Sequence, residues 1–276
     1  MLIISPKIKN IMACFLLAVG IVLYFSFKAL PDTRFHLYFL DVGEGDSIFV
    51  KTPENHQLII DGGPGNRMGE EISEIMPFWD RKIELLVLTH PDKDHIEGFL
   101  DLLRRYKVEI ILITGVNKED FWYEKFLEQI SKQDSKIIFA NEKTDFKIGE
   151  LVLDVLYPEN QLITKDFKEV NNSSIVLKIR CKDKQILLSG DLGEEIEKEL
   201  VEKGVNIKAD IFKAGHHGSK SSSSMEFLQA IKPEVVVIQV GKNSYGHPTT
   251  EALKRFEEIG AKVMRTDTDG RVEFVF

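Results

Sequence analysis

The chain carries the segment Leu88-Thr89-His90-Pro91-Asp92-Lys93-Asp94-His95, in which two histidines and two aspartates lie within six residues. The apolar run 83–88 precedes them and predicts a buried strand, which Pro91 ends. We therefore expect the four polar side chains in a loop, ahead of a helix predicted over 96–106. Imidazole and carboxylate together suit a divalent ion such as Zn²⁺ or Mn²⁺, and without a cation the acidic charges would repel one another.

A simpler interpretation of this segment is a polar turn that caps the following helix. Asp92 or Asp94 would then be the capping residue. Capping needs one of these side chains and uses neither His90 nor His95. The density of ligand-type residues therefore favours a metal site, although this segment alone does not define a reaction.

The composition indicates a globular chain that carries excess negative charge. The 276 residues suit one α/β domain, and 43% of them are hydrophobic and 29% charged. The formal net charge is −8, so a nucleic-acid partner would have to be attracted by a metal ion or by a local basic patch. The two cysteines, Cys14 and Cys181, lie in an apolar segment and a predicted strand. We expect neither a disulfide nor a thiolate metal site.

The first 30 residues differ from the rest of the chain. Residues 11–27 contain no charged side chain, which is near the lower length limit for a membrane-spanning helix. We predict an uncleaved single-pass anchor over 1–30, because the sequence that follows is a poor cleavage site; the alternative is a secretory signal, with the mature protein secreted. The basic residues on the two sides favour a cytoplasmic N-terminus and an extracellular domain.

Residues 31–276 are predicted to form one domain of alternating strands and helices. Three strands over 35–40, 47–50 and 57–60 predict an antiparallel meander, and strand–helix alternation follows. Several predicted strands end in polar tips, which is where α/β folds gather functional groups. Five of the seven histidines are predicted to lie at such tips: His90, His95, His216, His217 and His247.

Each of these residues also has an ordinary structural interpretation. Asp191, which follows Gly190 after an apolar strand, could be a turn former. His216 and His217 could belong to a loop that enters a helix, with one ring packed and the other hydrated. Ligand-type residues at four separate strand ends nevertheless favour one shared site.

Five further segments make the pattern specific. Together with His90-x-Asp92-x-Asp94-His95, they resemble the metallo-β-lactamase domain at the C-terminus of ComEC-type DNA-uptake proteins. The resemblance implies an αββα four-layer sandwich for 31–276 and covers none of the multi-helix channel of those proteins, so we do not expect DNA transport by this domain. The segments are Leu40-Asp41-Val42-Gly43-Glu44-Gly45-Asp46-Ser47, Ile60-Asp61-Gly62-Gly63, Ser189-Gly190-Asp191, Gly215-His216-His217-Gly218-Ser219 and Tyr245-Gly246-His247-Pro248.

The resemblance also implies roles for single residues. Two divalent ions, Zn or Mn, are expected, with Asp61 as a structural brace and Asp191 as a bridge. A third histidine of the family has no match, and Asn171 or Asn172 stands in that interval, which makes the first site oxygen-rich. The implied ligands are His90 and Asp92 for the first ion, Asp94 and His95 for the second, and either His216 or His247 to complete it.

These roles predict a metal-dependent phosphodiesterase or nuclease that acts on extracellular nucleic acid. Two ions would hold a hydroxide as nucleophile, which Asp94 would orient. His216 or His217 would protonate the leaving oxygen, and Lys213 or Ser219 would contact a phosphate. One alternative is hydrolysis of a lactone, a thioester or an envelope phosphodiester. Another is a non-catalytic, membrane-anchored module of an uptake or secretion machine.

Overall fold

The computed structural model describes residues 5–28, 32–163 and 169–276. Its first element is α1 (Pro6–Lys28), and Pro6–Ser26, with a mean hydropathy of 2.1, is long and apolar enough to cross a membrane. A signal sequence near an N-terminus would meet the same criteria, so the anchor remains a prediction. The predicted domain boundary at residues 30 and 31 lies outside the described residues. A second compact unit begins at Arg34.

The second unit consists of two sheets with helices between their strands. The strands are β1 (His36–Phe39), β2 (Ile48–Lys51), β3 (Gln57–Ile60), β4 (Lys82–Val87), β5 (Lys107–Ile113), β6 (Lys136–Phe139), β7 (Asp145–Ile148), β8 (Leu151–Tyr157), β9 (Val176–Cys181), β10 (Lys184–Leu188), β11 (Ile211–Lys213), β12 (Val235–Ile238), β13 (Lys262–Arg265) and β14 (Val272–Val275). The helices are α2 (Arg67–Ile75), α3 (Lys93–Arg105), α4 (Phe121–Ile130), α5 (Glu194–Glu202), α6 (Met225–Ile231), α7 (Thr250–Glu258) and α8 (Thr266–Asp269). Two 3₁₀ turns cover Val170–Ser173 and Gly215–Gly218.

Each sheet has seven strands. Sheet A has the order β14-β1-β2-β3-β4-β5-β6, and sheet B the order β13-β12-β11-β10-β9-β8-β7. The predicted meander is present, since β1, β2 and β3 pair antiparallel. The strands β3 to β6 are parallel, and so are β10 to β13. Parallel strands end at the same edge of a sheet, which brings distant loops together.

Three apolar layers hold the sheets and helices together. The middle layer lies between the sheets and takes alternate residues of facing strands, such as Leu58 of β3 and Leu177 of β9. Phe99 of α3 lies in a second layer, between sheet A and α2 to α4. Phe227 of α6 lies in a third, between sheet B and α5 to α7. These layers confirm the predicted αββα fold.

Several element boundaries differ from the predictions. The helix expected over 96–106 begins at Lys93, so Asp94 and His95 lie in its first turn rather than in a loop. The elements α2, α5 and β7 were not predicted. The strand β7 has four residues and alternates between exposed and half-buried positions at a sheet edge, so it lacks the apolar run that marks a buried strand.

Candidate metal centre

The predicted ligands lie in loops at one edge of the two sheets. The strands β4, β10, β11 and β12 lead into these loops, and the turn between β1 and β2 reaches the same edge, since the side-chain amide of Gln239 after β12 donates to the carbonyl oxygens of Leu40 and Ser47. The loops enclose a pocket of about 380 Å³. It is lined by Glu44, Pro64, Asp92, Lys93, Asp94, Asp191, His216, His217, Tyr245 and His247.

Four side chains converge at the floor of this pocket. Asp94, His95, Asp191 and His217 each offer one ligand atom, and these four atoms lie within 4.8 Å of one another. Nε2 of His217 is 3.2 Å from Oδ2 of Asp191 and 3.3 Å from Oδ2 of Asp94. Nε2 of His95 is 3.4 Å from the same Asp191 oxygen. Two imidazoles and two carboxylates at this spacing form a donor set that suits Zn²⁺ or Mn²⁺.

The Nδ1 atom of each of the two converging histidines, His95 and His217, has a hydrogen-bond partner. Nδ1 of His95 is 2.9 Å from Oδ2 of Asp61, and Nδ1 of His217 is 3.0 Å from the carbonyl oxygen of Gln239. Both partners accept, so the ring proton is assigned to Nδ1 and the lone pair to Nε2. This arrangement aims Nε2 at the shared centre, as in histidines that bind metal ions.

The burial of the histidine Nε2 atoms and their hydrogen bonding indicate whether the site fits a cation. The Nε2 atoms of His90, His95 and His217 are buried, and none has a hydrogen-bond partner among the described residues. Buried polar atoms are almost always hydrogen-bonded. Three unpaired imidazole nitrogens beside two carboxylates therefore fit a bound divalent cation.

We expect Asp61→Asn to weaken metal binding by about 10- to 100-fold, the effect typical of losing a group that orients a ligand. Asp61 accepts from the backbone N–H and the hydroxyl of Thr89 as well as pairing with His95. Its φ is 59°, and asparagine tolerates this backbone region well. The change therefore removes charge without adding backbone strain. Competition with a chromogenic chelator measures the affinity, and an unchanged value would contradict the assigned role.

The carboxylates control the charge of the two histidines. Burial lowers the pKa of His95, but Asp191, Asp61 and Asp94 outweigh burial and hold it well above its usual value. Burial also lowers the pKa of His217, but Asp191 outweighs burial and holds this pKa well above its usual value. Burial raises the pKa of Asp94, but His95 and His217 lower it to about 2. The carboxylates thus stay ionised and attract positive charge to this point, as a cation site requires.

The backbone that presents His217 is strained. The angle φ is 46° at His216 and 52° at His217, a left-handed region that costs a non-glycine residue about 1–3 kcal/mol. Gly218 follows with φ of 80°, and a Cβ there would lie 2.7 Å from Cβ of Pro248. Strain of this kind persists where surrounding contacts over-determine the loop. Here it accompanies the placement of His217 beside Asp191.

A buried carboxylate holds the serine-rich loop that follows this pair. Glu197 of α5 is fully buried. It accepts the backbone N–H of Ser223 at 2.5 Å and that of Ser224 at 2.8 Å. Burial raises the pKa of Glu197 to about 7, although these backbone hydrogen bonds lower it. The folded protein therefore holds a proton at Glu197 up to neutral pH.

We expect Glu197→Gln to remove a pH dependence of stability. A carboxyl whose pKa is raised by folding stabilises the fold fully below its unfolded pKa of 4.5, and this stabilisation is lost as pH rises through the folded value of about 7. Relative to the glutamine variant, the wild type should lose roughly 3 kcal/mol of unfolding free energy over this window. Denaturant unfolding of both proteins at several pH values measures it. A difference that stays constant with pH would refute the assignment.

Lys213 lies in the interior and not on the pocket wall. Its side chain is fully buried, forms an ion pair with Asp46, and places Nζ 3.4 Å from Oδ1 of Asp191. An ammonium group held there cannot meet a substrate phosphate, so the predicted phosphate contact of Lys213 is corrected to a structural role. Ser219 is also almost buried, and its hydroxyl pairs with that of Ser221 at 3.0 Å. Its predicted phosphate contact does not fit this position.

His90 and Asp92, the residues predicted for a first ion, lie beside the four-ligand group. Nε2 of His90 is 3.6 Å from Oδ2 of Asp92, and the rings of His90 and His95 are 4.1 Å apart. Asp92 stands at the N-cap of α3, but its side chain makes no capping hydrogen bond. Instead, its Oδ1 accepts from Nζ of Lys118 at 2.5 Å. Burial raises the pKa of Asp92, but His90 and Lys118 hold it well below its usual value.

His216 and His247 lie outside the four-ligand group. Nε2 of His216 is 3.9 Å from Oδ2 of Asp191, and its side chain is 29% exposed. Nδ1 of His247 is 3.2 Å from Oε1 of Glu44. The sequence left open which of the two completes the second site. The structure places His217 in the four-ligand group, and both His216 and His247 line the pocket.

Neither asparagine proposed for the unmatched histidine joins the four converging ligands. The side-chain amide nitrogen of Asn171 is 3.5 Å from Nδ1 of His216. The side-chain oxygen of Asn172 accepts the backbone N–H of Gly193 at 3.1 Å, at the start of α5. Asn171 therefore faces the pocket side, and Asn172 supports the following helix.

Sequence analysis assigned no role to Glu44, Asp46 or Lys118. Glu44 contacts His247, and Oδ1 of Asp46 is 3.3 Å from Nδ1 of His217. Both lie in the motif of residues 40–47, in the turn between β1 and β2, so the motif already indicated that Glu44 and Asp46 belong near the site. Lys118 gave no such signal, because it reaches Asp92 from 26 residues away through the fold of the β5–α4 connection.

The two mixed sheets and the converging aspartates and histidines define an α/β protein with a candidate metal centre. The sequence profile of the metallo-beta-lactamase superfamily matches residues 40–242, which is well over half of the chain. The chain belongs to this superfamily, and the resemblance inferred from its motifs is confirmed.

Its relatives include ComEC-type competence proteins. ComE operon protein 3 of Bacillus subtilis (strain 168) is 33% identical over 255 residues, which cover 85% of this chain and 32% of the relative. Competence protein ComA of Neisseria gonorrhoeae is 30% identical over 261 residues, which cover 94% of this chain and 35% of the relative. The chain thus spans about a third of the length of these relatives.

Solved structures share the fold at low sequence identity. The metallo-beta-lactamase fold protein YhfI from Bacillus subtilis superposes with a TM-score of 0.59 at 11% identity, covering 87% of this chain and 100% of that one. A diphosphatase from the PhnP family superposes with a TM-score of 0.50 at 13% identity, covering 88% and 99%. At these identities the likeness shows the fold alone.

Proposed function

We propose that this chain is a metal-dependent phosphodiesterase that cleaves extracellular nucleic acid, with two divalent ions, Zn²⁺ or Mn²⁺, as cofactors. The observation that carries the proposal is the convergence of four ligand atoms within 4.8 Å beside buried imidazole nitrogens that have no partner among the described residues. The likeness to ComEC-type competence proteins supports a nucleic-acid substrate. The apolar helix α1 supports attachment to the membrane.

The residues divide between two ions. Asp94, His95, Asp191 and His217 would hold one ion, and His90 and Asp92 would hold the other, with Asp191 shared. The set of His90, Asp92 and the shared Asp191 has one imidazole and two carboxylates, so it favours Mn²⁺ more than an all-imidazole set does. When bound, the ions would supply a Lewis acid and neutralise the charge that develops on a phosphate.

The chain's own groups would bind the substrate and move the proton. His216 and His247 line the pocket outside the four-ligand group, so either ring is free to donate a proton to the leaving oxygen. Glu44 holds Nδ1 of His247 and thereby fixes the orientation of this ring. Tyr245 is 75% exposed, and its ring stacks on His247 with centroids 5.8 Å apart. An exposed aromatic ring at the rim can stack on a nucleic-acid base.

We expect the purified full chain to hydrolyse bis-p-nitrophenyl phosphate and single-stranded DNA after chelator treatment and addition of Mn²⁺ or Zn²⁺. Asp94→Ala removes one of four ligands from the buried cluster and should lower kcat/KM by about 1000-fold, because the charge of the metal would be lost from the transition state. Steady-state assays with each metal measure the effect.

Three other outcomes would overturn parts of the proposal. Equal inactivity of the wild type and Asp94→Ala with every metal would exclude a phosphodiesterase. Turnover of a lactone or thioester without turnover of DNA would assign a different substrate class. Stoichiometric metal binding without turnover of any ester would assign a non-catalytic module of an uptake or secretion machine.

A further inference from the structure

We propose that the edge of sheet A opposite the metal centre binds the surface of an anionic lipid bilayer, with Phe78 and Trp79 as the inserting side chains. We call this edge the basal edge. It comprises the starts of β1, β3, β4 and β5, the end of β2, the end of α3, and the segment 77–81 before β4. The proposal rests on the proposed membrane attachment through α1 and does not depend on hydrolase activity.

Strand register defines the basal edge. His36 of β1 pairs with Lys51 of β2, and Lys51 pairs with Gln57 of β3. Gln57 in turn donates its backbone N–H to the carboxylate of Glu84 in β4 at 2.6 Å. Lys82, which begins β4, pairs with the first residue of β5. The loop that carries the ligands follows β4 at the opposite end of the strand, so the basal edge faces away from the pocket.

Two large aromatic side chains project from this edge. Phe78 is 73% exposed and Trp79 is 48% exposed, and their rings meet edge to face with centroids 4.8 Å apart. Apolar side chains that lie together on a surface mark interaction sites more often than single exposed apolar residues do. Tryptophan is moreover the residue enriched where a bilayer meets water, because its ring is apolar and its N–H is polar.

Polar contacts hold this aromatic pair in place. Oδ2 of Asp80 accepts from the side-chain amides of Asn55 at 3.2 Å and Gln57 at 3.0 Å. The carbonyl oxygen of Arg81 accepts the backbone N–H of Lys107 at 2.8 Å. The segment is therefore fixed to the strands on both of its sides, and the aromatic rings point outward from a rigid support. A rigid display lowers the entropy lost on binding.

The charge of the basal edge complements anionic headgroups, although the chain as a whole is negative. The acids at this edge are Glu54, at the turn between β2 and β3, and three carboxylates that contact neighbouring side chains. These are Glu109 beside Lys82, Glu273 beside His36, and Asp101 beside Arg105. Basic side chains near a membrane surface contribute about 1 kcal/mol each toward anionic lipids. The exposed basic residues here are Arg34, Arg81, Lys82, Arg104, Arg105 and Lys107.

Chain connectivity identifies the lipid bilayer as the occupant. The domain begins at Arg34, which precedes β1 on the basal edge and joins the domain covalently to the apolar segment Pro6–Ser26. A second aromatic pair starts α4, which follows the end of β5 at the opposite edge of the sheet. In this pair Phe121 is 60% exposed and Trp122 is half-buried. The chain does not enter the domain from the apolar segment at that edge, so the Phe121–Trp122 pair serves as an internal comparison.

The two tryptophans of the chain, Trp79 and Trp122, allow a direct test. Trp122→Phe leaves Trp79 as the fluorophore, and Trp79→Phe leaves Trp122. Each full-length variant is reconstituted into phosphatidylglycerol-containing vesicles, with or without brominated acyl chains, and its fold is checked by circular dichroism. We expect brominated lipid to quench Trp79 and iodide in solution to quench Trp122. Quenching by brominated lipid does not depend on the orientation of insertion.

The outcomes are decisive in both directions. A blue-shifted Trp79 that is quenched by brominated lipid, with an unaffected Trp122, supports the basal edge as the lipid contact. Quenching of Trp122 alone, of both tryptophans or of neither overturns it. In a second measurement, Arg81→Gln combined with Lys107→Gln should reduce the quenching of Trp79 in anionic vesicles, and unchanged quenching would exclude an electrostatic contribution from these two residues.

Discussion

Alanine in place of His217 is expected to weaken metal binding by more than about 100-fold, a larger effect than the loss of a group that only orients a ligand. His217 supplies one of the four converging ligand atoms, and its Nε2 is buried without a partner among the described residues. Its removal leaves Asp94 and Asp191 with one imidazole between them. Phosphodiesterase activity should fall with the metal, by about 1000-fold in kcat/KM.

His216→Ala is the matched control, because it changes the adjacent residue and the same side-chain type. Nε2 of His216 is 3.9 Å from Oδ2 of Asp191 and lies outside the four-ligand group formed by Asp94, His95, Asp191 and His217. This variant should keep the tightly bound ion and lose activity only as far as His216 donates a proton. Metal content after dialysis, measured by mass spectrometry, separates the two variants. Equal metal loss in both, or loss only in His216→Ala, would refute the assignment of His217.

Lys213→Met is expected to lower the unfolding free energy of the metal-free protein by about 3–5 kcal/mol, as breaking a buried ion pair does. Lys213 is fully buried against Asp46 and Asp191. Burial raises the pKa of Asp46, but Lys213 and His217 outweigh it and lower that pKa. Methionine keeps the volume of the side chain and removes its charge, so two buried carboxylates lose their common counter-ion.

Denaturant unfolding with excess chelator and with excess Mn²⁺ measures this effect. Because a bound cation returns positive charge to Asp191, Mn²⁺ should restore part of the stability of Lys213→Met. The control is the double variant with Asp46→Asn, which removes both charges of the pair and should be less destabilised than the sum of the single changes. Strict additivity of the two changes, or an unchanged unfolding midpoint in Lys213→Met, would contradict the buried pair.

The sequence predicted the sheets and the general position of the site for identifiable reasons. Residues 83–87 of β4 are buried, because sheet A is covered on both faces, and all of them except Glu84 are apolar. Parallel strands then bring their polar ends to one edge, which is why His90, Asp191 and His217 could be grouped before any contact was known. The αββα fold follows from the same alternation of strands and helices.

The choice among neighbouring residues could not be predicted in the same way. Whether His216 or His217 points inward depends on two consecutive left-handed residues. Left-handed residues are uncommon outside glycine, and two in succession are not predicted from local sequence. Lys213 ends an apolar strand and resembles an exposed lysine, because its partner Asp46 lies in a distant turn. Long-range pairing of this kind is visible only once the sheets are assembled.

The pairing of β1 with β14 has a consequence for biosynthesis. Nδ1 of His36 and Oε1 of Glu273 are 2.8 Å apart in space and 237 residues apart in the sequence, so β1 acquires its second neighbour late. Closing so long a loop before its contacts form slows folding. A partly synthesised chain that lacks β11 and β14 would therefore leave β1 with an open edge and lack His217. Such a chain would not yet contain all four converging ligand atoms.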